Sequence, residues 1–191
     1  SMLFVKPPGF QGQAWHQDEI YIPTRDRSLT GGWIALDDAM VENGCLWVLP
    51  GSHAKGYLYP QRSHNLPEEF DFAMESHGFD ESEEIPVEVK TGTVVFFNGY
   101  LLHRSRKNRS KSCYRRVLVN HYMNAYSLLP WQVCDGETPA TADRRNVVMV
   151  AGDDPYAWKG YEIPPNNVWL RKCKAVEESD SQSPRETGEA D

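Results

Sequence analysis

The sequence predicts an all-β fold, a sandwich or barrel, with the jelly roll as its leading form. Three observations carry this. Short β-rich runs punctuated by Gly, Pro and Asn fill the first two-thirds of the chain. No long helical pattern separates them, and many short strands without crossover helices close into sandwiches or barrels. No self-similarity at solenoid or propeller period is present. At 191 residues the chain suits one domain, drawn here over 1–174, with a core large enough to need no disulfide or metal staple.

Taken in order, the expected strands are "LFVK" (3–6), "EIYIP" (19–23), "GGWIAL" (31–36), "CLWVLP" (45–50), "VEV" (87–89), "TVVFFNG" (93–99) and "RRVLVNHYMN" (115–124). "DDAMVENG" (37–44) reads as one helical turn ending at Gly44. The stretch 52–84 is long, acidic and spotted with aromatics, with a short helix expected over 66–76. A long excursion between barrel strands reads as a lid or binding loop. The "LPGSH" run before it reads as a structural turn, fixed by a hydrogen bond from His53. From Ala175 onward "AVEESDSQSPRETGEAD" has almost no apolar residues and reads as a flexible acidic tail.

Bulk properties narrow the function. The net charge of −7 argues against a general nucleic-acid binder, which needs a basic face. No apolar run reaches the length of a membrane span, and no secretory leader pattern opens the chain. Cys45, Cys113, Cys134 and Cys173 form no Cys-x-x-Cys pair. Reduced thiols in a cytoplasmic-type compartment are therefore expected, and the expected partner of the protein is a small molecule. The oligomeric state is not encoded in any recognisable pattern.

The chemistry begins at "WHQDEIY", where His16 and Asp18 stand one residue apart. On an extended strand, residues i and i+2 point the same way, so an imidazole and a carboxylate are held side by side. A facial two-histidine, one-carboxylate metal site needs one more imidazole from another strand. Among six histidines, His103 fits best, because it follows the strand-like "TVVFFNGYLL" and a turn. His53 and His64 lie in loop sequence, His77 in the acidic stretch, and His121 reads as a hydrogen-bonded core histidine. A zinc hydrolase could use the same ligand types. Between Arg104 and Arg116, seven of thirteen residues are basic. Arg104, Arg106, Lys107, Arg109 and Lys111 read as a solvated turn. Arg115 differs: on period-two alternation it shares a face with Val117 and Val119, and an arginine there needs an anion. Arg116 faces the other way with Leu118 and Asn120, and the residues alone leave the choice between the two open.

The ordered runs "KPPG", "WHQD", "WIALDDAMVENGCLWVLPGSH", "TGTVVFFNGYLLHRSRKNRS" and "RRVLVNHYMN" together resemble the phytanoyl-CoA dioxygenase family of Fe(II)- and 2-oxoglutarate-dependent oxygenases. They cover roughly residues 3–124. The resemblance implies a cupin-like double-stranded β-helix with short peripheral helices. It implies iron ligation by His16, Asp18 and His103, with 2-oxoglutarate and O₂ as co-substrates. Position by position, Arg115 matches the residue that grips the far carboxylate of 2-oxoglutarate, while Gln17, Trp33 and Ser105 match residues lining that pocket. Relatives that chlorinate carry a small residue where Asp18 stands, so hydroxylation is expected, releasing succinate and CO₂. The family's N-terminal region, which helps cover the pocket, has no counterpart here, and the last third after Trp131 carries no recognisable motif. The competing expectation is a catalytically silent jelly-roll binding module, which would keep the fold and lose the triad.

Overall fold

Alternating side chains build ten short strands: β1 (Met2–Lys6), β2 (Gln13–His16), β3 (Thr30–Ala35), β4 (Leu46–Val48), β5 (Gln61–Arg62), β6 (Glu75–Ser76), β7 (Ile85–Val87), β8 (Val94–Asn98), β9 (His103–Ser105) and β10 (Arg115–Tyr122). They are seen in a computed structural model that describes residues 1–127, 148–155 and 157–159. All of these lie in the first of two compact units, Ser1–Tyr161 and Glu162–Asp191. The acidic tail expected from Ala175 lies outside the described residues, as does most of the run from Trp131 to Lys174.

Two four-stranded sheets form, in the orders β1-β10-β3-β8 and β2-β9-β4-β7, with β5-β6 as a separate hairpin. Every strand pair is antiparallel. This is the eight-stranded jelly roll expected from the sequence. Its core joins both sheets: Trp33 and Ala35 of β3, Phe97 of β8, and Val117 and Val119 of β10 meet Leu46, Cys45 and Ala39. Along β10 the burial alternates, with Arg115, Val117 and Val119 buried and Arg116 exposed. That alternation places Arg115 on the inner face and Arg116 on the outer.

Three local expectations are corrected. Residues 19–23 form no strand. β2 ends at His16, and Asp18–Ile20 closes a 3-10 turn in which Asp18 O accepts from the N–H groups of Tyr21 (2.9 Å) and Ile22 (3.0 Å). The buried Glu19 carboxylate accepts from both the N–H and the hydroxyl of Thr24, which overrides the β preference of Ile20, Tyr21 and Ile22. Residues 66–76 contain one turn rather than a helix. After Phe70 N–H donates to Leu66 O (3.0 Å), the chain bridges to Gly12 and runs on into β6. The 49–53 turn is fixed by Ser52, not by the His53 side chain: the Ser52 hydroxyl accepts from Leu102 N–H at 2.9 Å. The expected stop at Gly44 is present, with φ +82°.

The excursion 52–84 is held at many points. The Gln17 amide donates to Tyr57 O and accepts from Tyr59 N–H. Phe79 packs edge-on against Trp15 at 5.8 Å. Arg104 pairs with Glu81 (3.2 Å) and Glu84 (2.6 Å), and Arg106 pairs with Glu84. These two arginines also lie 4.5 Å from the ring centroids of Trp15 and Trp47. They are therefore clamps on the outer face of the second sheet, not part of a solvated turn.

Gly12 marks the tightest passage. A Cβ there would sit 1.9 Å from the carbonyl oxygen of Ser105. Gly12→Ala is expected to destabilise the fold by about 1–3 kcal/mol, the usual cost of forcing extra volume into a packed region, as a lower midpoint in urea unfolding.

Candidate metal and co-substrate site

The edge of β2 delivers the first ligand and the turn after it the second. Gln17 is extended (φ −128°, ψ 126°), so His16 and Asp18 fall on one side of it although only His16 is in the strand. β9 pairs antiparallel with β2, setting His103 opposite His16. Donor atoms of His16, Asp18 and His103 then lie within 4.8 Å of one another, a group able to hold a metal ion. His16 Nε2 is 3.7 Å and His103 Nε2 is 3.5 Å from the same Asp18 oxygen, Oδ1. Ligands about 2.1 Å from a shared ion and at right angles lie about 3 Å apart. Only small side-chain movements separate the observed set from that geometry.

The backbone fixes which nitrogen faces inward. His16 Nδ1 lies 2.8 Å from Ala14 O, and His103 Nδ1 lies 2.8 Å from Leu101 O. In each ring Nδ1 donates to the carbonyl two residues back, leaving Nε2 as the free lone pair, the arrangement that orients metal-binding histidines. His121, on the inner face of β10, reaches the other Asp18 oxygen at 2.9 Å. It is the hydrogen-bonded histidine the sequence suggests, but its partner is the candidate ligand carboxylate, which sequence spacing could not reveal.

Burial shapes the charges. Burial and the adjacent His103 push His16 down to about 3. Burial also opposes charge on His103, yet the Asp18 carboxylate outweighs it and holds His103 above its ordinary value. Asp18 is likewise disfavoured by burial but held well below the carboxylate range by His103, His121 and His16.

The remaining expected residues sit around this group. Trp33 is buried in the core, and the Arg115 guanidinium lies 5.8 Å from its ring centroid. Arg115 is 4 % exposed, and its Nε donates to Gly44 O at 3.0 Å. Among the described residues its two terminal nitrogens have no hydrogen-bond partner. Burial lowers it to about 10, the mark of a cation lacking a counter-charge. Arg116, by contrast, forks onto Asp37 through Nε (2.8 Å) and Nη2 (2.6 Å) at the surface. Ser105 lies two residues beyond His103 on the same face of β9. Gln17 is fully buried, with its amide committed to Tyr57, Tyr59 and Tyr100 main-chain groups. One residue escaped the sequence reading: Lys6 is 5 % exposed and hydrogen-bonds Ser105 Oγ at 2.9 Å. The only signal was a lysine sharing the inner-face parity of Phe4.

A jelly roll with two inward histidines and an aspartate on one ring of donors is the architecture of the cupin-like oxygenases. The family model for phytanoyl-CoA dioxygenase (PhyH) matches residues 1–117, and the chain belongs to that family. It is 40% identical over 111 residues to phytanoyl-CoA dioxygenase 1 of Oryza sativa subsp. japonica, covering 58% of this chain and 39% of that one. It is 37% identical over 132 residues to phytanoyl-CoA dioxygenase domain-containing protein 1 of Danio rerio, covering 65% and 44%. The chain thus spans roughly two-fifths of the length of these curated relatives. Among solved structures, EvdO2 from Micromonospora carbonacea var. aurantiaca superposes with a TM-score of 0.55 at 29% identity, over 72% of this chain and 54% of that one. A second structure of EvdO2, complexed with 2-oxoglutarate, gives 0.50 at 25% identity, over 64% and 52%.

The charge balance predicts a titration. His103 should keep its proton above pH 6.5 while His16 stays neutral down to about 3. In Asp18→Asn the carboxylate's raising influence is gone and burial, the largest influence, is opposed only by the hydrogen bond to Leu101 O, so His103 should fall. Long-range nitrogen–proton NMR of the metal-free protein reads both.

Proposed function

We propose that this chain carries the centre of a non-haem Fe(II)- and 2-oxoglutarate-dependent dioxygenase that hydroxylates a small-molecule or acyl substrate. The observation that carries the reading is the ring of His16, Asp18 and His103 donors beside a buried arginine with no acidic partner. Two neutral imidazoles and one carboxylate suit one face of an octahedral Fe(II), leaving positions for exogenous ligands. Bound iron would supply O₂ activation coupled to decarboxylation of 2-oxoglutarate, yielding succinate, CO₂ and a hydroxylated product.

The protein's own contribution is placement. His121 holds one Asp18 oxygen so that the other faces the imidazoles. His103 and Ser105 are separated by two strand residues, about 6.7 Å of rise, the scale of a five-carbon dicarboxylate. One end of such an acid can lie at the donor ring and its far carboxylate at Ser105 and Arg115. The guanidinium fork matches a carboxylate bidentately. Trp33 walls this end, and Gln17 fixes residues 57–59 next to His16 and Asp18. Asp18 occupies the position that a halide would need, which favours hydroxylation. Arg104, Arg106 and Arg109 are paired with Glu81, Glu84 and Glu69. They therefore give little support to an acyl-CoA phosphate grip. A silent binding module would have no use for the intact donor ring.

The direct test adds Fe(II) and 2-oxoglutarate without oxygen and looks for a weak visible charge-transfer band. Its absence from the folded protein overturns the reading. His16→Ala and His103→Ala should each abolish the band and 2-oxoglutarate turnover while the fold survives. Retained turnover in either variant would remove that residue from the ligand set.

Arg115→Ala should weaken 2-oxoglutarate on the order of 10- to 100-fold, the loss of charge-assisted hydrogen bonds worth roughly 1.5–3 kcal/mol. Iron binding should persist. Arg116→Ala should change affinity little, because its partner is the exposed Asp37 pair. Titration of the anaerobic band in both variants decides between them, and a large loss at Arg116 alone would reverse the assignment.

A further inference from the structure

Ser105 Oγ offers two lone pairs and one proton. Both lone pairs are taken. Lys6 Nζ donates at 2.9 Å and Gln13 N–H at 3.3 Å. The hydroxyl proton meets no acceptor among the described residues, so donation is the one bond Ser105 has left. Lys6 is spent in a complementary way. Its three N–H bonds go to Ser105 Oγ, to Arg106 O at 2.7 Å and to Gly44 O at 3.5 Å, leaving none for a ligand.

Lys6 and Arg115 are opposite one another in the β1–β10 register and converge on the same Gly44 carbonyl. Both are buried, and among the described residues no acidic side chain hydrogen-bonds either of them. Burial first, then the neighbouring Arg115, holds the Lys6 ammonium well below its ordinary value. Gly44 permits this crowding. At φ +82° a Cβ would stand 2.5 Å from Arg106 O and 3.1 Å from Lys6 Nζ.

We propose that Lys6 is a positioning residue for the distal carboxylate of the 2-oxo acid: by saturating Ser105 Oγ as an acceptor it turns that hydroxyl into an obligate donor. Together with Arg115 it makes this end of the pocket selective for a dicarboxylate. The inference rests on the function proposed above, but it concerns discrimination among oxo acids rather than the iron chemistry.

The test compares 2-oxoglutarate with 2-oxobutanoate, which lacks the distal carboxylate, by calorimetry on the Fe(II)-loaded protein without oxygen. Lys6→Met should weaken 2-oxoglutarate about tenfold, leave 2-oxobutanoate unchanged and leave Fe(II) affinity unchanged. Lys6→Arg should restore part of the preference. In a Ser105→Ala background, Lys6→Met should cost little more, because the two residues act as one unit. Equal losses for both acids would assign Lys6 a merely structural role and overturn the proposal. So would full retention of the preference, or additive losses in the double variant. If Lys6→Met does not fold, Ser105→Ala still decides: it removes only a hydroxyl and must lose the same preference, and retention overturns the proposal. Wild-type protein that binds Fe(II) but neither acid would instead overturn the co-substrate reading itself.

Discussion

Period-two alternation in two short strands governs the arrangement of this molecule. β9 turns His103 and Ser105 inward and Arg104 outward, while β10 turns Arg115, Val117, Val119 and His121 inward and Arg116 outward. A one-residue slip in either strand would exchange the donor ring and the buried arginine for surface groups. The antiparallel partners resist such a slip. β10 is held between β1 and β3, and β9 between β2 and β4. The apolar inner residues of β10 thus do two things at once. Val117 and Val119 fill the core, and by filling it they fix the facing of the polar residues at either end.

Those polar residues are expensive to bury, and the fold meets the cost differently at the two ends. At the His16, Asp18 and His103 ring, opposite charge is supplied internally: Asp18 stabilises His103, and His121 in turn holds Asp18. At the other end Lys6 and Arg115 are like charges sharing one carbonyl, and among the described residues no carboxylate hydrogen-bonds either. Buried cations of this kind are normally paired. The outer face shows that the chain has acids to spare for pairing, since Arg104, Arg106, Arg109 and Arg116 all have one. Leaving Lys6 and Arg115 without one is what the proposed carboxylate site requires.

Much of this was legible in the sequence, and the reasons for the remainder are physical. His16, Asp18, His103 and Arg115 could be read because strand parity is local and the family motifs occur in order. Alternation alone leaves Arg115 and Arg116 unresolved, the family resemblance favours Arg115, and the surface fork onto Asp37 accounts for the second arginine. The strand expected at 19–23 failed because propensity ignores Glu19, whose carboxylate closes a turn onto Thr24. Within the basic run 104–111, Arg109 and Lys111 are exposed as expected, whereas Arg104 and Arg106 are clamped by acids about twenty residues distant in sequence. Lys6, and the identity of His121's partner, escape the sequence for the same reason: each contact spans about a hundred residues.

The outer clamps bear on what residues 52–84 can do. A lid must open with few contacts to break. Here the segment is stapled by Phe79 on Trp15 and by Glu81 and Glu84 on two arginines that stack over Trp15 and Trp47. These contacts lie on the outer face of the β2-β9-β4-β7 sheet, whose inner face carries His16 and His103. Residues 57–59 run beside Gln17, which holds them through main-chain bonds to Tyr57 and Tyr59 and also donates to Tyr100 O. Gln17 stands between His16 and Asp18, so any displacement of residues 57–59 acts directly on the residue joining two candidate ligands. The segment is therefore better suited to setting the width of the ligand side than to opening and closing over it.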